Sequence, residues 1–177
     1  MATKKLKIGD KAPDFNLIGV DDKYYSLNSF NKKLLCIIFS CNHCPYVKAY
    51  EDRIIAIQSD YEKELQIVAI NSNDDVNYPE DSFDEMKKRA KEKGFNFVYL
   101  RDTEQTVARA YDATHTPEIF LFDSERKLRY HGKIDDNWQN PNEVKEPYLR
   151  NAIEELLAEK DVTIKETYSI GCTIKWR

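Results

Sequence analysis

Apolar residues fall into two recurring patterns along this chain. Leu34–Phe39 (Leu-Leu-Cys-Ile-Ile-Phe) and Leu65–Ile70 (Leu-Gln-Ile-Val-Ala-Ile) are short apolar runs rich in β-branched residues. Runs of that length suit central strands buried on both faces. Phe97–Leu100 and Ile119–Phe122 predict two more strands, and Lys127–Ile134 returns along the latter across the turn Asp123-Ser124-Glu125-Arg126. The second pattern is helical. From Pro45 to about Lys63, Val47, Tyr50, Ile54, Ile55, Ile57 and Tyr61 recur at helical spacing, and Pro45 suits a first turn, where its missing N–H is harmless. Ser82, with Glu85 three residues on, predicts a capped helix ending at Gly94. Thr103–Tyr111 and Pro147 to about Glu159 predict two further helices. Asn71–Asp81 is polar, contains Pro79 and reads as a loop.

Ahead of these elements come Ala12–Leu17 and then Val20–Leu27, in which Asp21-Asp22-Lys23 is a turn between two short alternating runs and predicts an N-terminal hairpin. The order is hairpin, then β-α-β-α-β-α-β-β-α. Such alternation predicts an α/β fold with a central mixed β-sheet flanked by helices. We divide the chain as one domain over 1–177, with 1–32 as the hairpin extension and 161–177 as a C-terminal tail. No internal repeat or low-complexity stretch interrupts it.

Composition narrows the partners. Of 177 residues, 41% are hydrophobic and 33% charged, with 27 basic and 31 acidic side chains and a net charge of -4. That length supports a sizeable core. No basic patch stands out, so nucleic acid is not expected as a partner. No apolar stretch approaches the ~20 residues that span a bilayer, so no membrane partner is expected. The start, Met1-Ala-Thr-Lys-Lys-Leu-Lys, lacks the apolar core of a secretory signal, and the reading is cytoplasmic.

Four cysteines, Cys36, Cys41, Cys44 and Cys172, are too few for a disulfide scaffold. In a reducing compartment a close pair is more often catalytic or metal-binding than structural. Cys41-Asn42-His43-Cys44 follows the first buried run and precedes the first helix. A thiol at a helix start meets unpaired N–H groups and the positive end of the helix dipole, which favour the thiolate. A second thiol one turn on can close a small disulfide ring. This is the layout of a thiol–disulfide exchange site. Cys41 is expected at the helix start, nearer solvent, as the nucleophile, and Cys44 as the resolving thiol. His43 is expected to add positive charge or a hydrogen bond to the Cys41 sulfur. Zinc ligation by Cys41, His43, Cys44 and Cys172 would ordinarily bring a second close pair, so no metal is expected. No cofactor is expected either.

The whole order, with Cys41-Asn42-His43-Cys44 at the strand–helix junction, resembles the thioredoxin-like superfamily. Gly9-Asp10-Lys11-Ala12-Pro13-Asp14-Phe15-Asn16-Leu17 resembles its peroxiredoxin and cytochrome-maturation branches. Ser169-Ile170-Gly171-Cys172-Thr173-Ile174-Lys175-Trp176 resembles the ending of a less characterised peroxiredoxin-like group. The resemblance covers nearly all of the chain and implies a thioredoxin-like fold. It also implies that Thr116-Pro117 is a cis bond beside the redox pair, with Thr116 offering its backbone to a substrate strand.

The departures matter as much. Leu35 stands where thioredoxin carries a buried aspartate, and Val47 where cytochrome-maturation relatives carry a glutamate, so the usual proton acceptor is missing. A peroxidatic cysteine needs Thr or Ser three residues before it and Pro seven before. Cys44 has Cys41 and Ile37 there; Cys41 has Ile38 and Leu34. The expected function is therefore thiol–disulfide oxidoreductase, acting on protein or low-molecular-weight thiols with a thiol reductant. A peroxiredoxin-like thiol peroxidase is the alternative. A disulfide more oxidising than thioredoxin's is expected from His43 beside the pair. Cys172 stands open between a packed small residue and a third redox thiol. Cys36, inside the buried run, is expected to be inert.

Overall fold

In the computed structural model, which describes residues 6–177, a seven-stranded sheet forms the centre. The reading of the first five residues as lacking a leader lies outside the described residues. Strands β1 (Leu17–Gly19) and β2 (Tyr24–Tyr25) form the N-terminal hairpin, shorter than its apolar pattern predicts. Asp22 turns the chain at φ 66. Then follow β3 (Leu34–Ser40), α1 (Pro45–Asp60), β4 (Leu65–Asn71), α2 (Phe83–Lys93), β5 (Val98–Arg101) and α3 (Thr106–Ala110). The chain closes with β6 (His115–Thr116), β7 (Glu118–Phe122), β8 (Leu128–Gly132), α4 (Tyr148–Leu157) and β9 (Cys172–Thr173). A 3-10 turn, Pro79–Asp81, interrupts the expected loop after β4.

The sheet order is β2-β1-β5-β4-β3-β7-β8. β3 runs parallel to β4, and β4 to β5, while β7 and β8 are antiparallel. The hairpin extends the far edge by pairing β1 antiparallel to β5. The fold is the thioredoxin-like mixed α/β arrangement.

β3 sits in the middle because every residue of it is buried. Its side chains alternate between two cores. Leu35, Ile37 and Phe39 meet Tyr111, Phe120 and Phe122 on one face. Leu34, Cys36 and Ile38 meet Ile54, Ile57, Leu149 and Ile153 of α1 and α4 on the other. Each such fully buried aliphatic or aromatic side chain contributes about 1.5–3 kcal/mol. The central strand is thus pinned on both faces, and its end becomes a rigid platform. Ser82 caps α2 by accepting from the Glu85 N–H at 3.3 Å, and Gly94 closes it in the left-handed region at φ 63. No helix among the described residues is long and apolar enough to cross a membrane.

Candidate active site

The site forms where β3 stops. Cys41, Asn42 and His43 are a three-residue loop, and Cys44 is the N-cap residue of α1, with Pro45 opening the helix. This corrects one expectation. The helix start holds Cys44, not Cys41, because the strand ends at Ser40 and Pro45 takes the first helical position. A second correction concerns access. Cys41 is only 2% exposed and Cys44 0%, so neither sulfur faces solvent freely. Both belong to one small cluster with Val47, against which Tyr46 and Cys172 pack.

The two thiols share one buried cluster, and their surroundings shift them in opposite directions. The Cys44 thiol is held well below the ordinary range. Its largest support is the hydrogen bond from Cys41; donors on Cys172 and the backbone N–H groups of Val47 and Cys172 add to it, against the cost of burial. The Cys41 thiol is pushed up for the matching reasons: it donates to Cys44, it is buried, and it faces the Asp81 carboxylate. The two thiols therefore titrate as a pair rather than singly.

Thr116 joins the pair from the other side. The Thr116–Pro117 bond is cis, as the resemblance implies. The Thr116 hydroxyl lies 3.5 Å from the Cys41 sulfur, and its carbonyl oxygen 3.5 Å from the Cys44 sulfur. Thr116 is also a strand residue. It pairs antiparallel with Cys172, and His115 with Thr173. The edge expected to await a substrate strand is held by the chain's own tail.

His43 brings a ring nitrogen within 4.8 Å of the Cys41 sulfur without hydrogen-bonding to it. Its Nδ1 lies 2.5 Å from Asp81 Oδ2, and its ring stacks on Tyr78 at 5.7 Å. The pull of Asp81, together with the Tyr78 ring, turns the imidazole toward the carboxylate.

Asp81 is the residue that the sequence reading missed. It is fully buried, and it accepts from the Asn42 N–H at 2.7 Å, Asn71 Nδ2 at 3.2 Å and Asn73 Nδ2 at 3.1 Å. Cys41, His43 and Asp81 bring one ligand-type atom each within 4.8 Å of one another. A carboxylate thus stands beside the pair after all, delivered from a 3-10 turn 40 residues downstream of Cys41 rather than from β3. The one sequence signal is the polar run Asn71-Ser72-Asn73-Asp74 directly after a buried strand, which marks a strand end too polar to be core. Asn71 and Asn73 of that run donate to Asp81.

The remaining residues sort clearly. Cys36 lies mid-strand, 0% exposed, with its thiol raised by burial alone. His131 is partly buried against Glu118, with Nε2 2.6 Å from Oε2. Burial works to raise the Glu118 carboxyl, but His131 and the N–H groups of Thr114 and His115 outweigh it and hold the group low. All four cysteines are free thiols.

With this geometry in view, comparison places the chain. The AhpC/TSA family profile matches residues 8–131. A solved but uncharacterised conserved protein from Geobacillus kaustophilus is 41% identical, covering 97% of this chain and 93% of its own, with a TM-score of 0.92. A hypothetical protein from Sinorhizobium meliloti 1021 is 37% identical over 98% of this chain and 97% of its own, also at 0.92. A candidate thiol:disulfide interchange protein DsbE from Chlorobium tepidum shares the fold at 21% identity and a TM-score of 0.67, over 88% of this chain and 98% of its own. No curated protein matches the chain.

Proposed function

The chain belongs to the AhpC/TSA family, and from that premise we propose that it is a thiol–disulfide oxidoreductase working through a Cys41–Cys44 disulfide. The observation that carries this reading is the pair itself: Cys44 at the N-cap of α1 shares a buried cluster with Cys41, and Thr116 touches both sulfurs. This reading assigns the two roles differently from the sequence expectation, with Cys44 as the nucleophile and Cys41 as the resolving thiol. Cys44 takes the nucleophilic role because its thiol is the lowered one of the pair, and Cys41 follows because burial, Cys44 and Asp81 hold its thiol up.

In the forward direction the Cys44 thiolate attacks one sulfur of a substrate disulfide. The other substrate sulfur leaves as a thiolate and is protonated. Cys41 then gives up its proton, with Asp81 and His43 as the nearest acceptor groups, and attacks Cys44 in the mixed disulfide. The second substrate thiolate leaves. Substrate disulfide becomes two thiols, and the enzyme dithiol becomes a disulfide. A buried Asp81 supports the step because the charge that raises Cys41 at rest also takes its proton when Cys41 must attack.

The substrates in this reading are protein or small-molecule disulfides, and a thiol reductant regenerates the pair. A cytoplasmic setting, rich in thiol reductants, suits it. Reduction of a small disulfide, followed by peptide mapping, tests it. A Cys41–Cys44 disulfide must accumulate with one disulfide consumed per chain; its absence refutes the reading. Peroxide reduction is the second reading, favoured by the anionic Cys44 at a helix start within this family. There Cys44 would be oxidised to the sulfenic acid with release of water, and Cys41 would close the disulfide with release of a second water. Peroxide consumption in the presence of a dithiol separates the two.

A further inference from the structure

The Cys44 sulfur has two thiol neighbours. One is Cys41; the other is Cys172, which packs against the Cys41–Cys44 cluster from the paired strand β9. Of the four cysteines, Cys172 alone is not buried. Cys44 therefore stands between an enclosed thiol and one that reaches the surface.

The tail places Cys172 there by several independent contacts. Its backbone pairs with Thr116, the residue that also touches both pair sulfurs. The approach is so close that a Cβ on Gly171 would sit 2.0 Å from the Thr116 carbonyl oxygen. Downstream, the Ile174 N–H donates to the Thr114 carbonyl at 2.9 Å, and the Lys175 N–H to Asn73 Oδ1 at 2.9 Å. Trp176 lies under the Arg109 guanidinium at 4.6 Å. Upstream, the Thr167 N–H donates to the His131 carbonyl at 3.0 Å. The strand is held on both sides of Cys172.

We propose that Cys172 is a third redox thiol, exchanging with Cys44 so that the disulfide first formed with Cys41 is passed outward to a Cys44–Cys172 bond. This rests on the Cys41–Cys44 reading above. In the transfer, Cys172 loses its proton and its sulfur attacks Cys44. The Cys41–Cys44 bond breaks, Cys41 leaves as a thiolate and takes up a proton, and no net oxidation occurs. An external dithiol then attacks the Cys172 sulfur and Cys44 leaves. The second thiol of that reductant attacks its own sulfur in the mixed disulfide and frees Cys172. The reductant ends as a disulfide and the enzyme with three thiols. Attack on the Cys172 side is favoured twice: that sulfur is the accessible one, and the best-stabilised thiolate, Cys44, is the leaving group.

Oxidation of the full chain with oxidised glutathione, rapid alkylation and peptide mapping tests this. In the wild-type protein, Cys41–Cys44 is the main bond, and oxidation protects a fraction of Cys172 from alkylation. In Cys41→Ser, Cys44–Cys172 is the bond that forms. Adding Gly171→Ala to Cys41→Ser, which forces the strand off Thr116, abolishes it. Complete alkylation of Cys172 in both oxidised wild type and Cys41→Ser overturns the relay while leaving the exchange pair standing. Loss of the Cys41–Cys44 bond from wild type, with Cys44–Cys172 still formed in Cys41→Ser, overturns the pair reading instead. The wild-type arm depends on no variant folding.

Discussion

Cys36, in the middle of β3, and Cys44, four residues past its end, each have 0% of their surface exposed. Their thiols nevertheless move in opposite directions, Cys36 up and Cys44 down. In the middle of the sheet, Cys36 lies between Ile67 of β4 and Leu121 of β7, and ladder bonds on both sides consume the backbone donors. Nothing remains to solvate a charge, so burial alone sets the result. At the strand end the ladder stops, a helix begins, and a two-stranded edge formed by β6 and β9 comes in. Unspent N–H groups and two neighbouring thiols all face one sulfur. Burial does not decide whether a thiol is reactive; the supply of donors does, and donors are free where regular structure ends.

That contrast can be broken most severely at Cys44. Cys44→Ser should abolish disulfide exchange outright, read as loss of thiol release from a small disulfide. Retained turnover would mean that Cys41 works alone. Next in size is Asp81→Asn, which keeps the hydrogen-bonding shape but removes the charge. We expect exchange near neutral pH to slow by about 10²-fold, with the alkylation midpoint of Cys41 moving to lower pH. A structural role alone would leave that midpoint where it is.

The pH dependence of stability sharpens the same point. Cys44 has a folded-state pKa below its unfolded one. Its contribution is therefore complete above the ordinary thiol range and is lost as pH falls through the depressed value. Urea midpoints of reduced wild type should fall relative to Cys44→Ser as the solution is acidified below about pH 8.5; parallel curves would show that the charge is not there. The smallest effect belongs to Cys36→Ala. It should cost about 1 kcal/mol in urea unfolding and leave the exchange rate unchanged.

The order of strands and helices, the helix caps at Ser82 and Gly94, and the redox pair itself were all readable from the chain, because each rests on local rules. Continuous apolar runs, a helical period, a cap three residues from its glutamate and two cysteines one turn apart need no knowledge of distant residues. The Thr116–Pro117 geometry was also reachable, through the resemblance carried by the motifs around it. What the chain could not disclose lies where distant segments meet. The helix start at Pro45 was legible, but that Cys44 rather than Cys41 then becomes its N-cap residue was not drawn from it. Asp81 enters from a turn beyond β4, and nothing local marks it as the carboxylate missing at Leu35. Cys172, over a hundred residues from the pair, becomes its neighbour only because β9 pairs with β6. Local sequence sets which elements form, since their energies are summed over near neighbours; the charge on each sulfur depends on groups within a few ångströms in space, and only the packed chain decides which groups those are.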